Sequence, residues 1–145
     1  MKHTKLYNIT KAETIATDIE IAESFLSKAF GLMFRKPKPI LFIFENEQQV
    51  NLHTWFVKSN VNILFINQSQ ILTKLATNVP QWTNKVSGIA KYVIELPICS
   101  TTTSPNHSLP NLEVGDQLDL NITNKEKINE TSPLQTIHSN DETFK

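Results

Sequence analysis

The stretch LHTWFVKSNVNILFIN, residues 52–67, decides the fold class of this chain. It contains two runs rich in β-branched, aromatic and aliphatic residues, and the polar residues Lys58, Ser59 and Asn60 stand between them. Apolar runs of this length on either side of a short polar segment are typical of antiparallel strands joined by a tight turn. We therefore predict a β-hairpin in the wall of a small barrel.

Further runs of strand length lie on both sides of this stretch. Residues 40–44, ILFIF, are apolar at every position, which predicts a strand buried on both faces, and the polar ENEQQ (45–49) predicts a turn after it. In residues 90–98, AKYVIELPI, the even-numbered positions 92 to 96 are predicted to face one side and the odd-numbered positions the other. Further strands are predicted at residues 5–16 (an edge strand or extended arm), 50–57, 61–67, 71–77 and 112–122, the last with a turn at Gly115 and Asp116.

This pattern predicts a mainly β fold: a small, mostly antiparallel barrel or half-barrel with one N-terminal amphipathic helix. The helix is predicted for residues 17–31, TDIEIAESFLSKAFG, because apolar residues recur there at helical spacing. Thr17 is the predicted N-cap, Glu20 completes a capping box, and Gly31 ends the helix. We expect this helix to plug one opening of the barrel.

Composition limits the class of protein. The chain has 145 residues, with 14 basic and 14 acidic side chains and one cysteine, Cys99. Net charge of zero without a cluster of lysines argues against a nucleic-acid binder, because phosphate neutralisation requires clustered cations. No run approaches the ~18 apolar residues of a membrane-spanning helix. A single cysteine and the lack of a signal-like N-terminus predict a cytoplasmic protein.

The organisation of the chain also follows from its composition. Residues 1–123 carry the predicted strands and are expected to form a single β-rich domain. Residues 124–145 are polar and aperiodic, so they offer too little apolar surface to offset the entropy of ordering. We predict a flexible C-terminal tail there.

Several motifs, taken together, resemble one known family. GLMFR (31–35), the apolar run at 41–44, HTWFV followed by NILFIN, KYVIEL (91–96) and VGD (114–116) resemble the domain of unknown function 192 family over about residues 12–120, and look most like its archaeal branch. The resemblance implies a compact β-rich domain without an assigned reaction. Asn62 and Asn67 stand where that family usually has aspartates. The exchange makes a carboxylate role doubtful there, whereas a turn-capping role remains possible.

Three side chains are candidates for chemistry. His53 titrates near neutrality and could act as a base or ligand, although a barrel-wall histidine with one hydrogen bond fits equally well. Glu95 lies in an apolar strand, where burial would raise its pKa, unless a nearby cation keeps it ionised. Arg35 could clamp an anion, or it could pair with Glu95 or Asp116 to tie the helix end to the sheet. Asp116 itself is predicted to cap its own turn.

Aromatic residues supply the remaining candidates. Trp55 and Phe56 on a strand and Trp82 in the loop VPQWTNK could line a binding surface, although aromatic residues in small barrels more often belong to the core. We expect no metal site, because the histidines and the single cysteine lack ligand spacing, and no cofactor motif is present.

The sequence is therefore compatible with two functions. The first is a non-catalytic accessory domain that binds a small ligand or a protein partner, with binding candidates Trp55, Trp82, Arg35, His53 and Glu95. The alternative is a small hydrolase- or lyase-like enzyme that uses Glu95, His53 and Arg35 for acid–base catalysis. The sequence leaves open whether the protein is an enzyme.

Overall fold

A computed structural model describes residues 2–23, 33, 36–98, 109 and 111–122. These residues form one seven-stranded sheet with the order β5-β4-β6-β3-β2-β1-β7. The strands are β1 (His3–Asn8), β2 (Glu13–Ala22), β3 (Ile40–Leu52), β4 (Val61–Ile66), β5 (Leu72–Val79), β6 (Val86–Pro97) and β7 (Leu118–Asp119). No described helix is long and apolar enough to cross a membrane.

The sheet curls into a half-barrel and confirms the predicted mainly β, mostly antiparallel class. Among the strand pairs of the described residues, β2 and β3 pair in parallel and all others are antiparallel. Backbone hydrogen bonds join the two ends of the strand order: Leu72 N donates to Asp116 O at 3.0 Å, and Leu118 N donates to Gln70 O at 2.8 Å. The predicted turn at Gly115 and Asp116 therefore lies where the sheet closes on itself.

The predicted helix is wrong over its first turns. Residues 17–22 belong to β2, which pairs with β1 on one side and with β3 on the other. Bulges in the β1–β2 pairing place Ile15 and Ala16, and then Ile19 and Glu20, in buried pairs. The predicted helical spacing begins at Ile21 and Ala22 and continues in residues 25–30, whereas the β-branched residues of the described part fit a strand. No helix occurs among the described residues, and residues 24–31 of the prediction lie outside them.

The predicted hairpin at residues 52–67 is also wrong. Strands β3 and β4 do not pair with each other, because β6 lies between them and is antiparallel to both. Strand β4 is apolar on both faces and needs a neighbour on each side, which β5 and β6 provide. Residues 53–60 are therefore a connection that crosses over β6, and we call them the crossover loop.

Several further boundaries differ from the prediction. Residues 5–16, predicted as one strand or arm, contain the end of β1 and the start of β2, and the strand predicted for 112–122 is reduced to the two residues of β7. The polar segment ENEQQ (45–49) is part of β3, where the pairing with β6 is irregular between Ile43 and Gln48. Because β6 pairs with β3 both before and after this segment, the segment bulges instead of turning. The strand predicted for 50–57 ends at Leu52, so the residues from His53 onward belong to the crossover loop.

Apolar residues form one cluster on each face of the sheet. On β6, Ile94 and Leu96 belong to the first cluster and Val93 to the second, which confirms the predicted alternation. At Gly88 the strand passes so close to Phe65 that a Cβ would lie 2.7 Å from a ring atom. The second cluster comprises Ala22, Ile40, Phe42, Val50, Val57, Val61, Ile63, Phe65, Val79, Ala90 and Val93. The crossover loop is thus anchored in the core through Val57.

Candidate binding site

Thr54 joins the crossover loop to the loop formed by residues 80–85. Its side chain is 2% exposed. Its hydroxyl donates a hydrogen bond to Pro80 O at 2.6 Å and accepts one from Thr83 N at 2.8 Å. Its backbone N–H donates to Thr83 O and its carbonyl accepts from Trp82 N, both at 3.0 Å. Four hydrogen bonds around one buried residue fix the two loops relative to each other.

The joined loops expose aromatic side chains on the surface. Trp55, Phe56 and Trp82 are 41%, 42% and 60% exposed. The His53 and Trp55 rings lie 4.7 Å apart between centroids, and Phe56 meets Trp82 edge to face at 4.8 Å. We call these four residues the aromatic platform. Large exposed aromatic residues on rigid loops are characteristic of recognition surfaces.

The indole of Trp55 is also fixed through its polar edge. Its Nε1 donates to Asn84 Oδ1 at 3.0 Å, which ties the crossover loop to the 80–85 loop a second time. On the other side of the residue, the Trp55 backbone N–H donates to His53 Nδ1 at 3.4 Å. Half-buried His53 therefore supports Trp55 through the ring contact and this hydrogen bond. Its ring faces a tryptophan, and no hydrogen bond or ion pair links it to Glu95 within the described part of the chain.

Two members of the platform have a backbone conformation that bulky side chains rarely adopt. Phe56 has φ of 58° and Trp82 has φ of 65°. The left-handed region costs a residue with a Cβ ~1–2 kcal/mol, and glycine or asparagine would be the usual choice. Such a conformation persists only where surrounding contacts determine it. The hydrogen bonds of Thr54 provide these contacts for Trp82.

Glu95 lies away from solvent on the face of the second apolar cluster. It is 7% exposed and pairs across the sheet with Ile40 on one side and Ile63 on the other. Burial raises the pKa of its carboxyl from 4.5 to about 7. No described side chain donates a hydrogen bond to it, so its environment favours the neutral acid.

Asp116 has the structural role that the sequence predicts. It is buried, which acts to raise its pKa, but hydrogen bonds from Glu113 N and Asn8 Nδ2 and the charge of Lys11 outweigh this and lower the pKa. The two hydrogen bonds measure 2.9 and 2.7 Å. Asp116 therefore caps its own turn. Arg35, which is predicted to pair with Asp116 or Glu95, lies outside the described residues. Cys99 also lies outside them.

Two asparagines, Asn62 and Asn67, serve as backbone caps. Asn62 Oδ1 accepts from Asn78 N at 2.8 Å, and Asn67 Oδ1 accepts from Ile71 N at 2.9 Å. Both roles need only an acceptor oxygen, which an amide supplies as well as a carboxylate does. Neither turn therefore depends on a carboxylate.

A shallow cleft of about 250 Å³ lies at the junction of the sheet ends, between residues 68–70 and 117–119. Its polar groups already close the sheet, since Gln117 Nε2 donates to Ser69 O at 2.9 Å. No group of three potential metal ligands occurs among the residues with described positions. The aromatic platform is therefore the stronger candidate.

The structure brings together four of the sequence candidates on the two joined loops, while Glu95 lies in the apolar cluster. The four are His53, Trp55, Phe56 and Trp82. Thr54, which joins the loops, has no predicted role, and Phe56 is predicted to lie on a strand. The loop VPQWTNK did carry a signal, because a tryptophan among Pro, Gln and Thr is typical of an exposed position. The positive φ angles left no mark in the sequence.

Known proteins similar to this chain come from archaea and bacteria. The UPF0127 protein PF1050 of Pyrococcus furiosus is 29% identical over 121 residues, which cover 80% of this chain and 97% of the relative. The UPF0127 protein of Thermococcus sibiricus is 26% identical over 137 residues, covering 92% and 84%. A solved structure, a protein of unknown function from Novosphingobium aromaticivorans, has a TM-score of 0.63 at 16% identity and covers 81% of this chain and 83% of that one. The last likeness concerns the fold alone.

These relatives confirm the predicted resemblance and its archaeal character. Because the model of the DUF192 family, described as "Uncharacterized ACR, COG1430", matches residues 7–119, this chain belongs to that family of uncharacterised proteins.

Proposed function

We propose that the protein is a non-catalytic binding module that holds a small ligand or a segment of a partner protein on the aromatic platform. One observation carries this proposal: Phe56 and Trp82 are bulky, exposed and at positive φ. Residues of this kind cost folding free energy where glycine or asparagine would cost less. Their presence is accounted for if their side chains contact something outside the domain.

The members of the platform have different parts in the proposal. Trp82, the most exposed, is the main anchor, and Phe56 supports it edge to face. Trp55 presents a second ring, held from behind by His53 and at its edge by Asn84. Because the loops are already joined, little ordering entropy remains to oppose binding. A cytoplasmic location is part of the proposal, in keeping with the single cysteine.

Two sequence candidates have no part in the proposed surface. Glu95 is buried in apolar surroundings, and Arg35 lies outside the described residues. The alternative enzyme would need Glu95 and His53 to meet in one cleft. Among the described residues neither hydrogen-bonds the other, so no observation favours that alternative.

A thermal-shift screen tests the proposal. The wild-type protein is heated with metabolites, sugars, nucleotides and short peptides, beside Trp82→Ala and the control Tyr7→Ala, which removes an aromatic side chain exposed on β1. A binding ligand raises the melting temperature in proportion to its occupancy. We expect at least one compound class to stabilise the wild type and Tyr7→Ala but not Trp82→Ala. A flat response for all three proteins, or equal responses, would count against a binding role.

A further inference from the structure

Charge is distributed unevenly along the chain although the total is zero. Residues 48–94 contain no aspartate or glutamate, and they include four lysines. The rest of the chain carries all 14 acidic residues and ten of the 14 basic ones, so +4 in this segment is balanced by −4 elsewhere. Both loops of the aromatic platform belong to the acid-free segment. The two loops that display the aromatic rings therefore contain no acidic residue of their own.

Each loop also carries a lysine close to its aromatic residues. Lys58 follows Phe56 by two positions, and Lys85 follows Trp82 by three and is adjacent to Asn84, the partner of Trp55. Both lysines are exposed. Within the described segments, no ion pair includes either of them, whereas Lys2, Lys11 and Lys38 all pair with carboxylates. Each loop thus carries one exposed cation close in sequence to its aromatic residues, and neither cation has a carboxylate partner among the described residues.

We infer that the platform binds an acidic peptide segment of a partner protein, in which Asp or Glu residues alternate with an aromatic or aliphatic side chain. The inference rests on the proposed binding function and names the chemistry of its ligand. Carboxylates would lie near Lys58 and Lys85, while the apolar side chain would contact Trp82 and Phe56. The partner's charge complements that of the acid-free segment.

The form of the surface favours a peptide over other ligands. Small molecules are usually held in concave sites that bury most of their surface, whereas the platform is open, with rings up to 60% exposed. A nucleic acid would require several clustered cations to neutralise its phosphates, and each loop supplies one lysine. An extended segment with few charges and one apolar anchor matches both features.

Selection from a random twelve-residue peptide library displayed on phage tests the inference. The full chain is the target, and the amino-acid composition of the recovered peptides is compared with that of the unselected library. Selected peptides are then synthesised with a fluorescent label, and their affinities are measured by anisotropy against wild type, Trp82→Ala, Lys58→Gln and Lys85→Gln. The controls are Tyr7→Ala and Lys5→Gln, exposed residues of the same types on β1. A labelled ten-residue oligothymidine is titrated in parallel.

We expect the recovered peptides to be enriched in Asp and Glu together with an aromatic or aliphatic residue. Trp82→Ala should weaken their binding about tenfold or more, as at interface hot spots. Each lysine variant should weaken it about threefold and reduce its dependence on salt. The two control variants should bind like wild type.

Other outcomes overturn the inference in distinguishable ways. Basic or uncharged peptides that still require Trp82 would exclude the acidic class while the binding function stands. If oligothymidine binds more tightly than any peptide and its binding also depends on Trp82, the ligand of the platform is a nucleic acid and the inference of a peptide ligand is refuted. Peptides that bind Trp82→Ala as well as wild type would refute both the inference and the platform. No enrichment would refute the inference, and the thermal-shift screen then decides the binding function separately.

Discussion

Replacing Trp82 by glycine should give a more stable protein than replacing it by alanine. Both variants lose the same indole contacts, so their difference reports on the backbone alone. At φ of 65° a Cβ costs ~1–2 kcal/mol, which glycine does not incur. Against this, glycine lowers the free energy of unfolding by ~0.4–1 kcal/mol relative to alanine, because it has greater conformational freedom in the unfolded chain. The glycine variant should therefore exceed the alanine variant by ~1 kcal/mol in free energy of unfolding.

The comparison of glycine with alanine is repeated at Phe56 and Trp55, which are adjacent in the crossover loop, as controls. Phe56, with φ of 58°, should behave like Trp82. Trp55 is exposed to a similar degree as Phe56 but has no positive φ, so glycine there should be less stable than alanine by ~0.4–1 kcal/mol. The sign of the difference should thus reverse between adjacent positions of one loop.

Urea denaturation followed by far-UV circular dichroism measures these differences, because the signal does not depend on the tryptophans that are removed. The slopes of the unfolding curves must agree between paired variants for the comparison to report on stability. If the alanine variant is clearly more stable than the glycine variant at position 82, the strained conformation does not exist in solution. Trp82 would then carry no cost in folding free energy for a binding role to explain.

The remaining predictions concern the supports of the site and the core. Thr54→Val should lower the free energy of unfolding by ~2 kcal/mol in chemical denaturation, since it leaves Thr83 N without its acceptor, whereas Thr54→Ser keeps the hydroxyl and should cost clearly less. Because the folded-state pKa of Glu95 is raised, its stabilising contribution is full below pH 4.5 and is lost as pH rises towards about 7. The stability of wild type relative to Glu95→Gln should therefore fall by up to about 3 kcal/mol between pH 4.5 and pH 8. Glu45→Gln on the exposed part of β3 is the control for lost charge, and parallel pH profiles of wild type and Glu95→Gln would contradict the burial of Glu95. Gly88→Ala should cost ~1–3 kcal/mol, because its Cβ would lie within 2.8 Å of two Phe65 ring atoms, and an unchanged urea midpoint would contradict this close approach.

The features that sequence predicted well are those decided by local apolar pattern. Residues 40–44 and 61–66 are apolar on both faces, and both form strands with neighbours on each side. The alternation at 92–96 and the turn at Asp116 likewise depend on a few adjacent residues. The predictions that were wrong concern features that depend on pairing between strands far apart in the sequence. Strand β6 separates β3 from β4, and residues 17–22, predicted to begin a helix, pair as part of β2 with β1 and β3.

The site follows the same division. Trp82 in its polar loop was recognisable as an exposed aromatic residue, and His53 and Trp55 are near each other in sequence as in space. Thr54 was not recognisable, because its hydrogen bonds reach residues 26 and 29 positions away. Strand pairing brings those residues together, and this pairing could not be predicted from a single sequence. The binding role of these residues remains a prediction.

Native-state hydrogen exchange at the loop amides tests the central claim most directly, namely that the two loops are one rigid unit built around Thr54. The backbone N–H groups of Thr54, Trp82 and Thr83 all donate hydrogen bonds between these loops. They should therefore exchange as slowly as amides in the paired parts of β3 and β6, and Thr83 should lose this protection first in Thr54→Val. Exchange of all three amides at the rate of free loop residues would contradict a preformed aromatic platform.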